Sequence, residues 1–214
     1  MKKFAIIAGV FVFLIVGLLI ILAIIGVGTA GSYNRLVGLS QNADSKWAQV
    51  ENDYQRRADL IPNLVATVSG AANFEKSTLV EVTEARASVG KVQINANSAP
   101  TDPNQLAQFD QAQQQLSSAL SHLMVVVEKY PTLTATENFR DLQAQLEGTE
   151  NRITVSRMDF NQAVQAYDTA IKSFPAVLFA EKWHFKEKPY FAATTPGAEN
   201  APKVQFNFNG NSTN

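Results

Sequence analysis

Side chains able to do chemistry are few and scattered in this 214-residue chain. The two histidines, His122 and His184, stand 62 positions apart, and neither sits in an HExxH or His-x-His pattern that would aim two imidazoles at one metal ion. Cysteine is absent, which excludes a disulfide framework, a thiol nucleophile and any Cys-ligated metal. Serines are numerous, but no GxSxG sets one on a nucleophile turn, and no glycine-rich loop is built for phosphate. Carboxylates such as Asp141 and Glu147 fall on the surfaces of expected helices, where solvation is their ordinary role. His122 adjoins the apolar pair Leu120 and Leu123 and reads as a hydrogen-bonded boundary residue; His184 reads as a solvated tail residue. No catalytic residue, cofactor or metal is expected.

One charged stretch stands apart by position: RRADLIPNLV at residues 56–65. Proline at 62 removes the amide bond to Ala58 and predicts a kink, leaving a carbonyl that Asn63 or Arg57 is placed to satisfy. Arg57 falls on the apolar stripe of its helix. A lone buried cation is prohibitive, so an acidic partner is expected, and Glu147 and Glu150 of EGTE are the candidates. Arg57, Glu147 and Glu150 are thereby expected to form a structural polar core.

The elements that position these residues begin with an anchor over residues 1–30. No charge occurs between Lys3 and Arg35. The apolar run from Phe4 to Val27 is ~24 residues, against roughly 20 for a bilayer-spanning helix and ~7–15 for a signal-peptide core. An uncleaved signal anchor is expected; the small residues Gly28-Thr29-Ala30 offer a cleaved signal peptide as the alternative. Lys2 and Lys3 place the N-terminus in the cytoplasm, so the bulk of the chain lies outside it, held by a single pass of the cytoplasmic (inner) membrane. Without those two lysines the remainder carries 16 basic and 19 acidic side chains, which argues against nucleic acid as a partner.

Four helices follow over residues 31–175. From about Ser32 to Ser69, Leu36, Ala43, Val50, Arg57 and Leu64 recur every seven residues, interleaved with Ser40, Trp47, Tyr54, Ile61 and Val68. A shorter helix reaches about Val89, and an Asn- and Pro-rich loop runs to Thr101. Asp102-Pro103 starts a third helix, which extends to about Lys129. The fourth carries Phe139, Leu146, Ile153, Phe160, Tyr167 and Phe174 seven apart, with Leu142, Thr149, Ser156, Ala163 and Ala170 between them; Pro175 ends it. The predicted fold is all-α, a transmembrane helix followed by an up-and-down four-helix bundle.

Residues 176–214 are an aromatic and basic segment with a linker-like tail. Trp183, Phe185, Tyr190 and Phe191, beside Lys182, Lys186 and Lys188, fit either docking at the membrane interface or capping of the bundle's end. Val204, Phe206 and Phe208 alternate with polar residues, a short strand pattern. The third helix has only Asp102 and Asp110 as charges between Lys91 and Glu128. Its exposed amides, Gln108, Gln111 and Gln115 foremost, make an assembly surface for homo-oligomers, the alternative being a polar monomeric face.

Several separated motifs are shared in order with one family. YNRLV, Trp47, RRADLIPNLV, EVTEAR (81–86), EKYPTLTATENFRDLQAQLEGTENRI (128–153), R-x-D-F-N (157–161), SFP (173–175) and PYF (189–191) resemble the LemA family of bacterial membrane-anchored helical proteins. The chain departs from that pattern between Phe179 and Phe185, where AEKWH replaces a Gly-Phe-rich segment. The resemblance implies the anchored bundle, no established catalytic residues, and partners among envelope proteases and stress-response membrane proteins. The function expected is a non-enzymatic extracytoplasmic scaffold or adaptor. The alternative is a ligand-binding or enzymatic bundle with a pocket between helices.

Overall fold

The computed structural model of the chain describes residues 2–71, 74–92 and 98–192, and of residues 2–12, 14, 20–25 and 27 the backbone alone. The fold is all-α: α1 (Lys2–Ser69), α2 (Lys76–Val89), α3 (Pro103–Val127), α4 (Pro131–Thr134), α5 (Glu137–Lys172) and a 3-10 turn at Ala176–Leu178. The starts follow ordinary capping chemistry. The Asp102 carboxylate accepts from the Asn104 amide at 2.9 Å, and the Thr136 hydroxyl accepts from the Phe139 amide.

Three expectations are corrected. The two helices expected at 4–27 and 32–69 are one, because no proline falls between them and Gly26, Gly28 and Gly31 are accommodated within it. Pro62 sits inside α1 without ending it. The carbonyl it frees is not served by Asn63 or Arg57: Ala58 O accepts from Arg86 Nε of α2 at 2.9 Å. At the far end α5 stops at Lys172, so Phe174 lies past the helix, 81% exposed, and the seven-residue row closes at Tyr167.

Among the described residues no helix is long and apolar enough to cross a membrane. The expected span at 4–27 falls largely on residues whose side chains lie outside the description. The strand pattern at Val204, Phe206 and Phe208 lies outside the described residues altogether.

The stripes of α1, α3 and α5 form the core. Leu36, Trp47, Val50, Ile61 and Leu64 of α1 are all at or below 1% exposure. Packing partners fix the directions. Leu36 clusters with Tyr167 and Ala170, while Ile61 and Leu64 cluster with Phe139 and Leu146, so α5 runs antiparallel to α1. Leu106 and Phe109 join Trp47 and Tyr54, while Leu123 and Val127 join Ile61 and Val68, so α3 runs parallel to α1. The closest helix pairs are α1 with α5 and α2 with α3. Helices α3 and α5 stand further apart, and grooves open between them.

Candidate functional site

R-x-D-F-N and PYF, nearly thirty residues apart in sequence, form one feature in space. Asn161 of α5 presents a side-chain amide that copies a backbone pairing: its Nδ2 donates to the Phe191 carbonyl and its Oδ1 accepts from the Phe191 amide, both at 3.0 Å. The Phe191 ring, 5% exposed, enters the core against Trp47 and Phe160, at centroid distances of 6.0 and 5.7 Å. The Arg157 guanidinium covers it at 4.3 Å, donates to Asp110 at 2.8 Å and to the Tyr54 hydroxyl, and reaches the Ala192 carbonyl at 3.2 Å. Asp159 takes the Lys46 ammonium at 2.7 Å. Arg157, Phe160 and Asn161 thus hold the segment after α5 onto the helices, while Asp159 ties α5 to α1.

Membrane-interface docking is corrected for Phe191, because a ring locked in the core has no free face. Trp183 and Phe185 are partly buried and meet Tyr33 edge-on at 5.4 and 5.6 Å, and Tyr190 alone of the four is exposed. Lys188, expected in the docking or capping tail, is buried and pairs with Asp44 at 3.0 Å, while its backbone amide donates to Asp168. Burial raises the Asp168 carboxyl above its usual range and pushes Tyr167 up to about 12. These contacts hold the segment against α1 and α5.

Arg57 ties three helices from inside. At 1% exposure its Nη1 donates to Glu150 at 2.7 Å and to the Ser117 hydroxyl at 2.8 Å, and its Nη2 donates to the side-chain and backbone oxygens of Gln113. Of the two expected carboxylates the structure brings only Glu150 to Arg57; Glu147 accepts from Gln143 instead. The ion pair is lopsided, because Glu150 is 44% exposed while the cation is enclosed. Gln113 and Ser117 complete the arrangement. Gln113 was legible as a polar residue on the α3 stripe, whereas Ser117 carries no distinguishing signal.

Arg57 and Arg157 line the same groove between α3 and α5, about 660 Å³ in volume. A second groove of about 750 Å³, lined by Leu120, Met124 and Leu146, continues it through Ser117 and Glu150. Both guanidiniums are matched by carboxylates, so the arrangement offers paired charge rather than a free cation. Among the described residues no cluster of three His, Asp or Glu converges as a metal site. His122 hydrogen-bonds Glu81 at 2.8 Å on the surface. Gln108, Gln111 and Gln115 are all exposed, with Gln111 and Gln115 flanking the α2–α3 groove.

Beside Trp47, burial raises the Glu51 carboxyl to about 6, and the indole N–H opposes that shift only partly. Neither Trp47 Nε1 nor Glu51 Oε2 makes a well-formed hydrogen bond among the described residues. Proximity without alignment accounts for both findings.

Comparison with known proteins bears on most of this region. The LemA family model matches residues 46–206. Magnetosome protein MamQ of Magnetospirillum gryphiswaldense is 26% identical over 178 residues, covering 74% of this chain and 64% of MamQ. MamQ 2 of Paramagnetospirillum magneticum is 26% identical over 184 residues, covering 77% and 66%. The chain therefore spans slightly less than two thirds of the length of these relatives.

Proposed function

The chain belongs to the LemA family, and on that premise we propose a non-enzymatic, membrane-anchored scaffold or adaptor that assembles with itself and presents helical surfaces to envelope proteins. In this reading residues 4–27 cross the cytoplasmic membrane once, the N-terminus is cytoplasmic, and the packed helices form an up-and-down four-helix bundle outside. One observation carries it. The charge-free apolar stretch and the most deeply buried helix of the body are halves of the single helix α1, so anchor and scaffold are built as one piece.

The antiparallel packing of α5 on α1, with α3 parallel to α1, supports the bundle. The pairing of both groove arginines with carboxylates favours structural work for them over chemistry. An envelope protease or a stress-response membrane protein is the partner class carried by the family resemblance. No cofactor is needed.

Self-assembly is placed on the amide face of α3, where uncharged side chains pair without the desolvation cost of ions. Copies held in one membrane share an orientation and a raised effective concentration. Sedimentation of the full chain in mild detergent is expected to show an oligomer. Replacing Gln108, Gln111 and Gln115 by Glu is expected to disperse it without loss of helicity. A monomeric wild type, or an oligomer indifferent to the triple substitution, defeats the proposal. Alkaline phosphatase fused after Asn214 tests the topology separately and is expected to be active.

The groove of about 660 Å³ with Arg57 and Arg157 along it is the one observation favouring a ligand-binding bundle. That reading is second, because Glu150 and Asp110 already engage the two cations.

A further inference from the structure

The turn that follows α5 is built inside out. In SFPAVLFA (173–180) the residues that pack inward are the small ones: Ala176 and Ala180 are buried in the cluster of Leu36 and Tyr167. The large apolar ones face outward, Phe174 at 81% exposure, Leu178 at 65% and Val177 at 51%. Single exposed apolar side chains are ordinary. Three within five residues, beside a half-buried Phe179 stacked on Trp183, make a patch that calls for a cover.

The height of the patch on the molecule says what covers it. Lys46 pairs with Asp159 and Arg57 with Glu150, so each step forward on α5 is a step back on α1. Continued past the end of α5, this register sets Phe174 level with about residue 32 of α1. The neighbouring contacts agree: Ala176 and Ala180 cluster with Leu36, and Trp183 and Phe185 meet Tyr33. Residue 32 stands about 7–8 Å beyond Val27, where the apolar run ends, and a headgroup layer is roughly 5–8 Å thick. No charge intervenes, because the first after Lys3 is Arg35.

We propose that Phe174, Val177 and Leu178 form a plate seated in the headgroup layer of the bilayer that residues 4–27 cross, giving the body a second contact with lipid. The proposal rests on the reading of residues 4–27 as the anchor. Apolar side chains at that boundary gain burial by entering it some 5–10 Å. A body held by one span alone is free to lean, and a contact to the side of that span holds it upright. Exposed Lys182 and Lys186 belong to the same end, but Glu181 lies beside them and Glu187 takes Lys172, so the plate is apolar before it is basic. Its seating therefore needs no anionic lipid.

Because the chain has no cysteine, single introduced thiols carry a fluorescent probe to chosen sites of the full-length protein in phosphatidylcholine vesicles. Leu178→Cys reports on the plate, and Phe13→Cys, at an exposed position within the apolar run, reports on the anchor. Val125→Cys is the control, exposed on α3 at the opposite end of the body, where Leu123 and Val127 meet Val68. Lipids spin-labelled near the headgroup are expected to quench the Leu178 probe about twofold or more over lipids labelled deep in the chain, and to leave Val125 untouched. Adding Phe174→Ser and Val177→Ser, both at exposed positions, is expected to bring the Leu178 probe down to the Val125 level. A quenched Phe13 probe with Leu178 behaving like Val125 overturns the plate and leaves the anchor standing. Failure to quench Phe13 as well removes the anchor reading and the plate with it. Quenching of Leu178 that survives the serine substitutions also overturns the plate, since it then reports mere nearness to the span. A Leu178 probe shielded from aqueous iodide yet unreached by lipid quenchers overturns it too, and assigns the patch to a second copy of the chain.

Discussion

Along its seam with α1, α5 buries Thr149, Ser156, Ala163 and Ala170, small residues that let the two backbones approach closely. Along its seam with α3 it presents Glu150, Thr154 and Arg157, and the helices stay apart across a trough bridged by the Arg157–Asp110 ion pair and by Arg57 of α1, which reaches Glu150 on one side and Gln113 and Ser117 on the other. One helix thus meets one neighbour by close packing, with ion pairs at its margins, and the other through polar bridges alone. Close packing is non-directional and tolerates no added volume. A charged clasp holds separation and register while leaving space between the helices. The contrast locates rigidity on the α1 side and access on the α3 side.

The sharpest way to break that contrast is to remove the ring that both sides share. Phe191→Ala is expected to cost about 4 kcal/mol, since a buried phenylalanine leaves both a transfer loss and a cavity. Tyr190→Ala next to it, which loses a half-exposed ring and its hydrogen bond to the buried Asp168, is expected to cost about 1 kcal/mol. Urea unfolding of the detergent-solubilised chain, read by tryptophan fluorescence, measures both.

Next is the clasp. Glu150→Ala strands an enclosed guanidinium and is expected to cost on the order of 3 kcal/mol, while Glu147→Ala stays near zero. Joint replacement of Arg57 and Glu150 by Met is expected to cost less than the two single losses together. Equal effects at Glu147 and Glu150 would dissolve the distinction between the two carboxylates.

The close-packed seam makes the opposite demand. Ser156→Leu is expected to cost about 2 kcal/mol through overpacking. The same change at Thr154, one helix face away in the trough, is expected to stay within about 0.5 kcal/mol. Similar values at the two sites would mean that the seams do not differ.

Smaller effects sharpen the picture at the edges. Arg86→Ala removes the donor to the Ala58 carbonyl and is expected to cost about 1 kcal/mol. In a Pro62→Ala background the restored amide serves that carbonyl, and the cost of losing Arg86 is expected to shrink. The smallest effect depends on pH. The folded protein holds the Glu51 proton up to about pH 6, above the 4.5 of an ordinary glutamate. It therefore binds more protons than the unfolded chain in that window, and stability falls as pH rises through it. Glu51→Gln is expected to raise the melting temperature at pH 7.5, with the gain disappearing below pH 4.5.

The helical rows were legible because a seven-residue repeat of large apolar groups leaves little freedom about which face is buried. Leu36 to Leu64 and Phe139 to Tyr167 went where their spacing put them. Arg57 was legible for the same reason, being a charge in an apolar row. Arg157 was not, because it lies beside its stripe and its partners include a segment more than thirty residues on that has no period. The burial of Lys188 was not legible, because irregular backbone carries no pattern that marks an inward side chain. Arg86 was missed because serving the Ala58 carbonyl requires the placement of α2, which no local signal gives. PYF and R-x-D-F-N were visible as two motifs, and only three dimensions make them one.

The unbroken backbone of α1 has a rotational consequence. Each helical residue turns the chain by about 100°, so whatever grips the first half of α1 also sets the compass bearing of every face on the body. One residue inserted near Gly31 would swing the amide face of α3 through more than a right angle relative to the grip, while adding only about 1.5 Å of height. Seven inserted residues would bring it nearly back to its original heading. A partner that meets this protein side-on would therefore read the length of α1 in phase rather than in distance, losing and regaining its contact as the helix is lengthened residue by residue.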